Sequence, residues 1–286
     1  MARSRTRRPL VVGLVLLLLG ALVVVLVTLA VAWQRNLIYL PDRSPVPPAA
    51  DVLRDGRDLS LRTADGLELG AWFLPGRDAG PGAGYAVLVL PGNAGNRLGR
   101  TGLAEELGAR GFAVLLLDYR GYGGNPGDPS EEGLAADADA AVAALAGEGF
   151  DQDRRIYLGE SLGTGVATGL AARTAPAGMV LRSPFPTLAD LGAHHYPWLP
   201  VRTFLRDRFP VVEHLRPGGE AAGVPVTVVR GDADEVVPPR LSREVAAAAR
   251  ESGNLVDEVV LPGAGHNDPV MFGSRIADAV VDLVRG

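Results

Sequence analysis

Arg155-Ile156-Tyr157-Leu158-Gly159-Glu160-Ser161-Leu162-Gly163-Thr164-Gly165 joins an apolar run to a helix-like segment through a turn flanked by glycines. A serine in that setting has its hydroxyl lifted above the edge of a sheet, and glycines two residues either side let neighbouring backbone pass without Cβ clashes. Ser161 is therefore the candidate nucleophile. In a chain with 37 glycines the five-residue pattern arises easily by chance. What carries the reading is its place between the run Arg155 to Leu158 and the helical pattern Leu162 to Arg173.

The pattern extends outward in both directions. Ala86 to Leu90, Ala113 to Leu117, Met179 to Leu181, Val226 to Val229 and Glu258 to Leu261 are short apolar runs of the kind buried on both faces of a sheet. Helix-like segments lie between and after them: Arg97 to Ala109, Ser130 to Ala146, Pro239 to Glu251 and Val270 to Val284. Leu59 to Arg62 and Leu67 to Leu74 instead alternate apolar and polar residues around Ala64-Asp65-Gly66, a hairpin signal. The fold class expected is α/β, a mostly parallel central sheet flanked by helices with a short antiparallel start, and its site lies beyond the carboxyl ends of the strands.

A serine needs a base to take its proton, and four histidines are available. His194, His195 and His214 precede the last two strands, whereas His266 lies just after the final one, in Pro262-Gly263-Ala264-Gly265-His266-Asn267-Asp268. The acid that orients the imidazole has three candidates in Gly231-Asp232-Ala233-Asp234-Glu235, after the preceding strand. Taken singly, these carboxylates read equally well as caps for the helix near Pro239, and His266 as a surface residue. An oxyanion hole needs two backbone N–H groups. Leu162 supplies one, and the loop Pro91-Gly92-Asn93-Ala94-Gly95-Asn96 the other, through Asn93 or a neighbour, since Pro91 has no N–H. That loop lacks the lysine and the glycine spacing of a phosphate cradle.

Together, Gly92-Asn93-Ala94-Gly95-Asn96, Asp118-Tyr119-Arg120-Gly121-Tyr122-Gly123, Pro129-Ser130-Glu131-Glu132-Gly133, Gly159-Glu160-Ser161-Leu162-Gly163, Asp234-Glu235-Val236-Val237-Pro238 and Gly265-His266-Asn267-Asp268 resemble the serine hydrolases of the α/β-hydrolase superfamily. The likeness is to the membrane-associated α/β-hydrolase-domain proteins, a group that includes protein depalmitoylases and bacterial relatives, and it covers most of the chain after residue 58. The resemblance implies the α/β-hydrolase fold, the acid at Asp234, the base at His266, and cleavage of carboxylic ester or thioester bonds without a cofactor. One departure is Pro91, where those relatives usually carry histidine. A serine peptidase of the same fold, or a catalytically silent binding protein, are the alternative readings.

Composition bounds the rest. With 28 basic and 33 acidic residues the net charge is -5, which offers no basic stripe for nucleic acid. The absence of cysteine removes thiol nucleophiles and thiolate metal sites. Residues 1–9 carry Arg3, Arg5, Arg7 and Arg8, and residues 10–33 form an apolar run whose one polar side chain, Thr28, precedes Trp33. Such a run exceeds a roughly 30 Å hydrocarbon core. The arginines outweigh Arg35 and Arg43, so the expectation is a single-pass helix in the cell membrane, with the N-terminus cytoplasmic and the rest outside. A cleaved signal peptide ending at Ala30-Val31-Ala32 is the competing reading. Residues 34–50, with Pro41, Pro45, Pro47 and Pro48, read as a stiff extended tether to one domain, 51–286. Within it, residues 184–219 read as a small lid. Its Trp198 and Leu199, with Tyr122 in the loop after Leu117, are the expected substrate contacts, and the pair His194-His195 lacks a third ligand for a metal. Oligomeric state is left open.

Overall fold

A computed structural model describes residues 7–286. The chain opens with α1 (Arg7–Ile38) and β1 (Leu40–Pro41), and the hairpin β2 (Arg57–Arg62) and β3 (Glu68–Leu74) follows. Next come β4 (Ala86–Leu90), β5 (Ala94–Gly95), α2 (Thr101–Ala109), β6 (Ala113–Leu117), α3 (Glu131–Gly147), β7 (Arg155–Glu160), α4 (Leu162–Ala171) and β8 (Gly178–Arg182). Residues 184–219, expected to form a lid, hold α5 (Leu188–His195), α6 (Val201–Phe204) and α7 (Val211–Leu215), and the chain closes with β9 (Val226–Gly231), α8 (Pro239–Glu251), β10 (Leu255–Leu261) and α9 (Ser274–Arg285).

Eight strands form one sheet in the order β10-β9-β8-β7-β4-β6-β3-β2. The six from β10 to β6 run parallel, while β3 pairs antiparallel with both β6 and β2. Every residue of β4, β6, β7 and β8 is buried, which is why these strands read as continuous apolar runs without alternation. Odd and even positions feed two cores, one per face. Leu88, Leu115 and Tyr157 pack beneath α3 and α4, and Val87, Val114 and Ile156 pack beneath α2 and α9. The chain leaves β4 for β6 on one side and β7 for β8 on the other, so the switch point of the sheet lies between β4 and β7.

At the N-terminus the structure corrects the expected boundaries. Helix α1 begins at Arg7 and runs on to Ile38, without ending at Trp33, and its window Val12–Ile38 is long and apolar enough to cross a membrane. Arg3 and Arg5, half of the basic flank, lie outside the described residues. Residues 34–50 are not a free tether. Tyr39 and Ala49 are buried, and β1 pairs in parallel with β5, Leu40 opposite Ala94 and Pro41 opposite Gly95. The prolines do keep this segment extended, but Leu40 N–H donates to the Asn93 carbonyl at 2.8 Å, Asp42 N–H to the Gly95 carbonyl at 3.2 Å and Ala49 N–H to Asp58 at 3.2 Å.

Candidate active site

Ser161 caps α4 in a backbone conformation that only the surrounding packing can hold, with φ 50° and ψ −112°. The turn is tight because β7 and α4 meet the β4 loop. A Cβ on Gly159 would lie 2.6 Å from the Gly163 oxygen, and one on Gly163 would overlap the Leu90 carbonyl. Those two positions admit glycine alone, which explains the flanking glycines of the motif. Ser161 N–H donates to the Arg182 carbonyl at 2.8 Å, which ties the turn to the end of β8.

His266 and Asp234 meet as the sequence order anticipated. His266 Nδ1 lies 2.8 Å from Asp234 Oδ2, and both side chains are buried. The Asp234 carboxylate is saturated. Its Oδ1 accepts from Val236 N–H at 3.0 Å and Val237 N–H at 2.7 Å, and its Oδ2 also accepts from the Ser183 hydroxyl at 2.8 Å. Burial alone would push this carboxyl up, but His266, Val237 N–H and Ser183 together hold it below the ordinary value. Asp232 plays another part: it accepts from Gly263 N–H at 2.5 Å and braces the turn ahead of His266. Among the described residues, neither Ser161 Oγ nor His266 Nε2 makes a hydrogen bond.

Four side chains that the sequence did not single out link the loops. Glu160, beside the candidate nucleophile, is buried between Arg100 at 3.2 Å and Arg182 at 3.8 Å. Arg100 reaches on to the Asn96 carbonyl at 2.9 Å, and Arg182 donates to the His266 carbonyl at 3.0 Å while stacking 4.3 Å over Phe272. One carboxylate thus connects the turn carrying Ser161 to the loop after β4 and to the loop carrying His266. Burial pushes the Arg182 guanidinium down, and Glu160 opposes that shift. Ser183, the fourth, directly follows β8 with φ 50°.

The loop after β4 lies against the turn, since a Cβ on Gly92 would stand 3.6 Å from that of Ser161. Asn93 is firmly held there. Its carbonyl accepts from Leu40 N–H at 2.8 Å and from the Tyr122 hydroxyl at 2.9 Å, and its side-chain amide donates to the Ile38 carbonyl at 2.7 Å. Its own N–H, like that of Leu162, has no partner among the described residues. Tyr122 does not fit the expected substrate contact. It is fully buried, with its ring against Tyr119, and its hydroxyl is engaged by Asn93. Trp198 and Leu199, the other expected substrate contacts, are 76% and 42% exposed. His195 bonds the Val236 carbonyl at 2.8 Å, beside Asp234, and no cluster that could hold a metal occurs among the described residues.

Comparison with known proteins agrees with this architecture. The profile of the alpha/beta hydrolase fold matches residues 85–218. The chain is 46% identical over its full 286 residues to an uncharacterized protein of Mycobacterium tuberculosis, covering 96% of it. It is 31% identical over 217 residues to alpha/beta hydrolase domain-containing protein 17B of Xenopus tropicalis, covering 75% of this chain and 70% of the relative. Among solved structures, an esterase of Pyrococcus furiosus superimposes with a TM-score of 0.67 at 19% identity, over 87% of this chain and 97% of that one. The sheet order, the strained turn at its centre and these relatives place the chain in the α/β-hydrolase family.

Proposed function

We propose that the protein is a membrane-anchored serine hydrolase that cleaves carboxylic ester or thioester bonds through an acyl-enzyme. The observation that carries this reading is the strained turn at Ser161, tied through Arg182 to the loop of His266, together with the buried His266–Asp234 pair at 2.8 Å. In the first half-reaction Ser161 Oγ attacks the acyl carbonyl carbon while His266 Nε2 takes its proton. Asp234 holds the imidazole tautomer and stabilises the imidazolium, and the Leu162 and Asn93 N–H groups receive the charge on the carbonyl oxygen. His266 then protonates the departing alcohol or thiol. In the second half-reaction His266 draws a proton from water, the hydroxide attacks the acyl carbon, and Ser161 leaves with its proton restored. Every group these steps require belongs to the chain itself. The esterase among the structurally similar proteins supports ester chemistry. The length and apolar character of Val12–Ile38 support an anchor, and the arginines ahead of it support a cytoplasmic N-terminus.

The test is labelling of the full-length protein in detergent with a fluorophosphonate, followed by hydrolysis of an acyl-length series of esters. Label should appear at Ser161 and vanish in Ser161→Ala. Ester turnover should fall by several orders of magnitude in Ser161→Ala and His266→Ala alike, with the double variant hardly worse than either. Full turnover in Ser161→Ala would overturn the reading.

A further inference from the structure

The last turns of α1 and the strand β1 touch the candidate site more closely than a tether requires. Asp207, at the far end of the lid and 3% exposed, receives three hydrogen bonds from this segment. Arg35 Nε and Nη2 donate to its two carboxylate oxygens at 3.1 Å each, and the Tyr39 hydroxyl donates to Oδ2 at 2.9 Å. Gln34 adds an oxygen that accepts from Arg206 N–H at 2.8 Å. A carboxylate so buried is tolerable only when its lone pairs are filled, and the partners here, Arg35 and Tyr39, lie about 170 positions away in the chain. This clasp fixes the backbone of residues 38–40. Those residues in turn hold Asn93 from two sides, through the Ile38 carbonyl and the Leu40 N–H, while β1 continues alongside Ala94 and Gly95. Tyr122 completes the cradle with its hydroxyl. The three anchors use the carbonyl and side-chain amide of Asn93 and leave its main-chain N–H without a partner among the described residues.

We propose that Arg35, Tyr39 and Asp207 are positioning residues for the oxyanion loop: through residues 38–40 they set the direction of the Asn93 N–H, so that the end of the membrane helix is a working part of the active site. The inference rests on the serine-hydrolase reading above. It explains why a lid residue is bonded to the anchor and not to the core, and why the segment entering the domain is routed past β5. Because an oxyanion donor acts chiefly on the transition state, loosening the clasp lowers kcat and leaves KM nearly unchanged.

The experiment uses the full-length protein in detergent, a water-soluble acetate ester, and active-site concentrations counted by fluorophosphonate label. Tyr39→Phe deletes one hydroxyl and keeps the ion pair, so it preserves the fold, and Asp207→Asn removes the charge that Arg35 and Tyr39 share. Trp33→Ala, on the same helix outside the clasp, is the control. The expected result is a kcat per labelled serine lowered by about tenfold or more in Asp207→Asn and by a smaller factor in Tyr39→Phe, with KM within about threefold. Backbone amides of residues 92–96 should also exchange with deuterium faster in both variants than in Trp33→Ala. Loop exchange and kcat within about twofold of wild type in both variants would overturn the inference. Wild-type protein that takes no label and turns over no ester would instead overturn the serine-hydrolase reading, and the exchange comparison would still report whether the clasp fixes the loop.

Discussion

Ser161 and Ser183 share one backbone angle, φ 50°, at the ends of adjacent strands, and neither is glycine. Strain kept at two neighbouring strand ends implies that each side chain is needed where it stands: one as the proposed nucleophile, the other as a donor to Asp234. Ser183→Ala should therefore lower kcat on the order of tenfold, the worth of a lost bond to a charged group of about 1.5 kcal/mol, with KM little changed. Ser183→Gly should match it in rate while melting higher, because only the glycine relieves the positive φ. The pH dependence has a fixed sign. Asp234 is held below its unbound value of 3.8, so its stabilising contribution is present above that value and lost as pH falls through the folded one. Removing the Ser183 bond raises the folded value and brings the acid loss of stability to higher pH; thermal melts from pH 3 to 7 showing no such displacement would count against this role. Ser161, Asp234 and His266 were legible in the sequence because each ends a strand at a motif of recognisable spacing. Ser183, Arg182 and Glu160 were not, since their partners lie 51, 84 and 60 residues away and leave no local pattern. Tyr122 misled for the opposite reason, as an aromatic in a glycine-rich loop looks alike whether it lines a pocket or braces a backbone.

The parallel strands were the most legible elements, because burial on both faces writes itself as an unbroken apolar run, and the hairpin was legible from its alternation. Ser130 caps α3, where its hydroxyl accepts from Gly133 N–H at 3.0 Å. The stretch after Trp33 was not legible. Its prolines do dictate an extended chain, but β1 is two residues long and exists because β5 lies beside it. Outside α1, residues 184–219 turn a group of apolar side chains outward, since Tyr196, Trp198, Leu199 and Phe204 are all exposed. Arg202, on α6, pairs with Asp190 of α5 at 2.8 Å and keeps the two short helices together independently of these side chains. If the lid receives acyl chains, Trp198→Ala with Leu199→Ala should weaken hydrolysis of medium-chain esters about tenfold more than that of acetate esters, the worth of a few methylenes of lost contact. Equal losses on both would assign the pair to lid folding instead.

For the whole molecule, orientation follows from the flanking charges, and a reporter fused after Gly286 should be active outside the cytoplasm and silent within it. Release by alkaline wash, or a mature N-terminus at Trp33, would replace the anchor with a secreted enzyme. The unbroken course of α1 into the clasp carries one more implication. A helix of 32 residues is about 48 Å long, against a hydrocarbon core of roughly 30 Å, so in the anchored protein proposed above its last turns would rise clear of the lipid as a rigid post. A domain bolted to such a post cannot spin or nod independently of it. The post then works as a ruler: it sets the altitude at which a bond can be cut, and a lipid-borne substrate sharing the same plane meets a crevice that has already surrendered much of its rotational freedom.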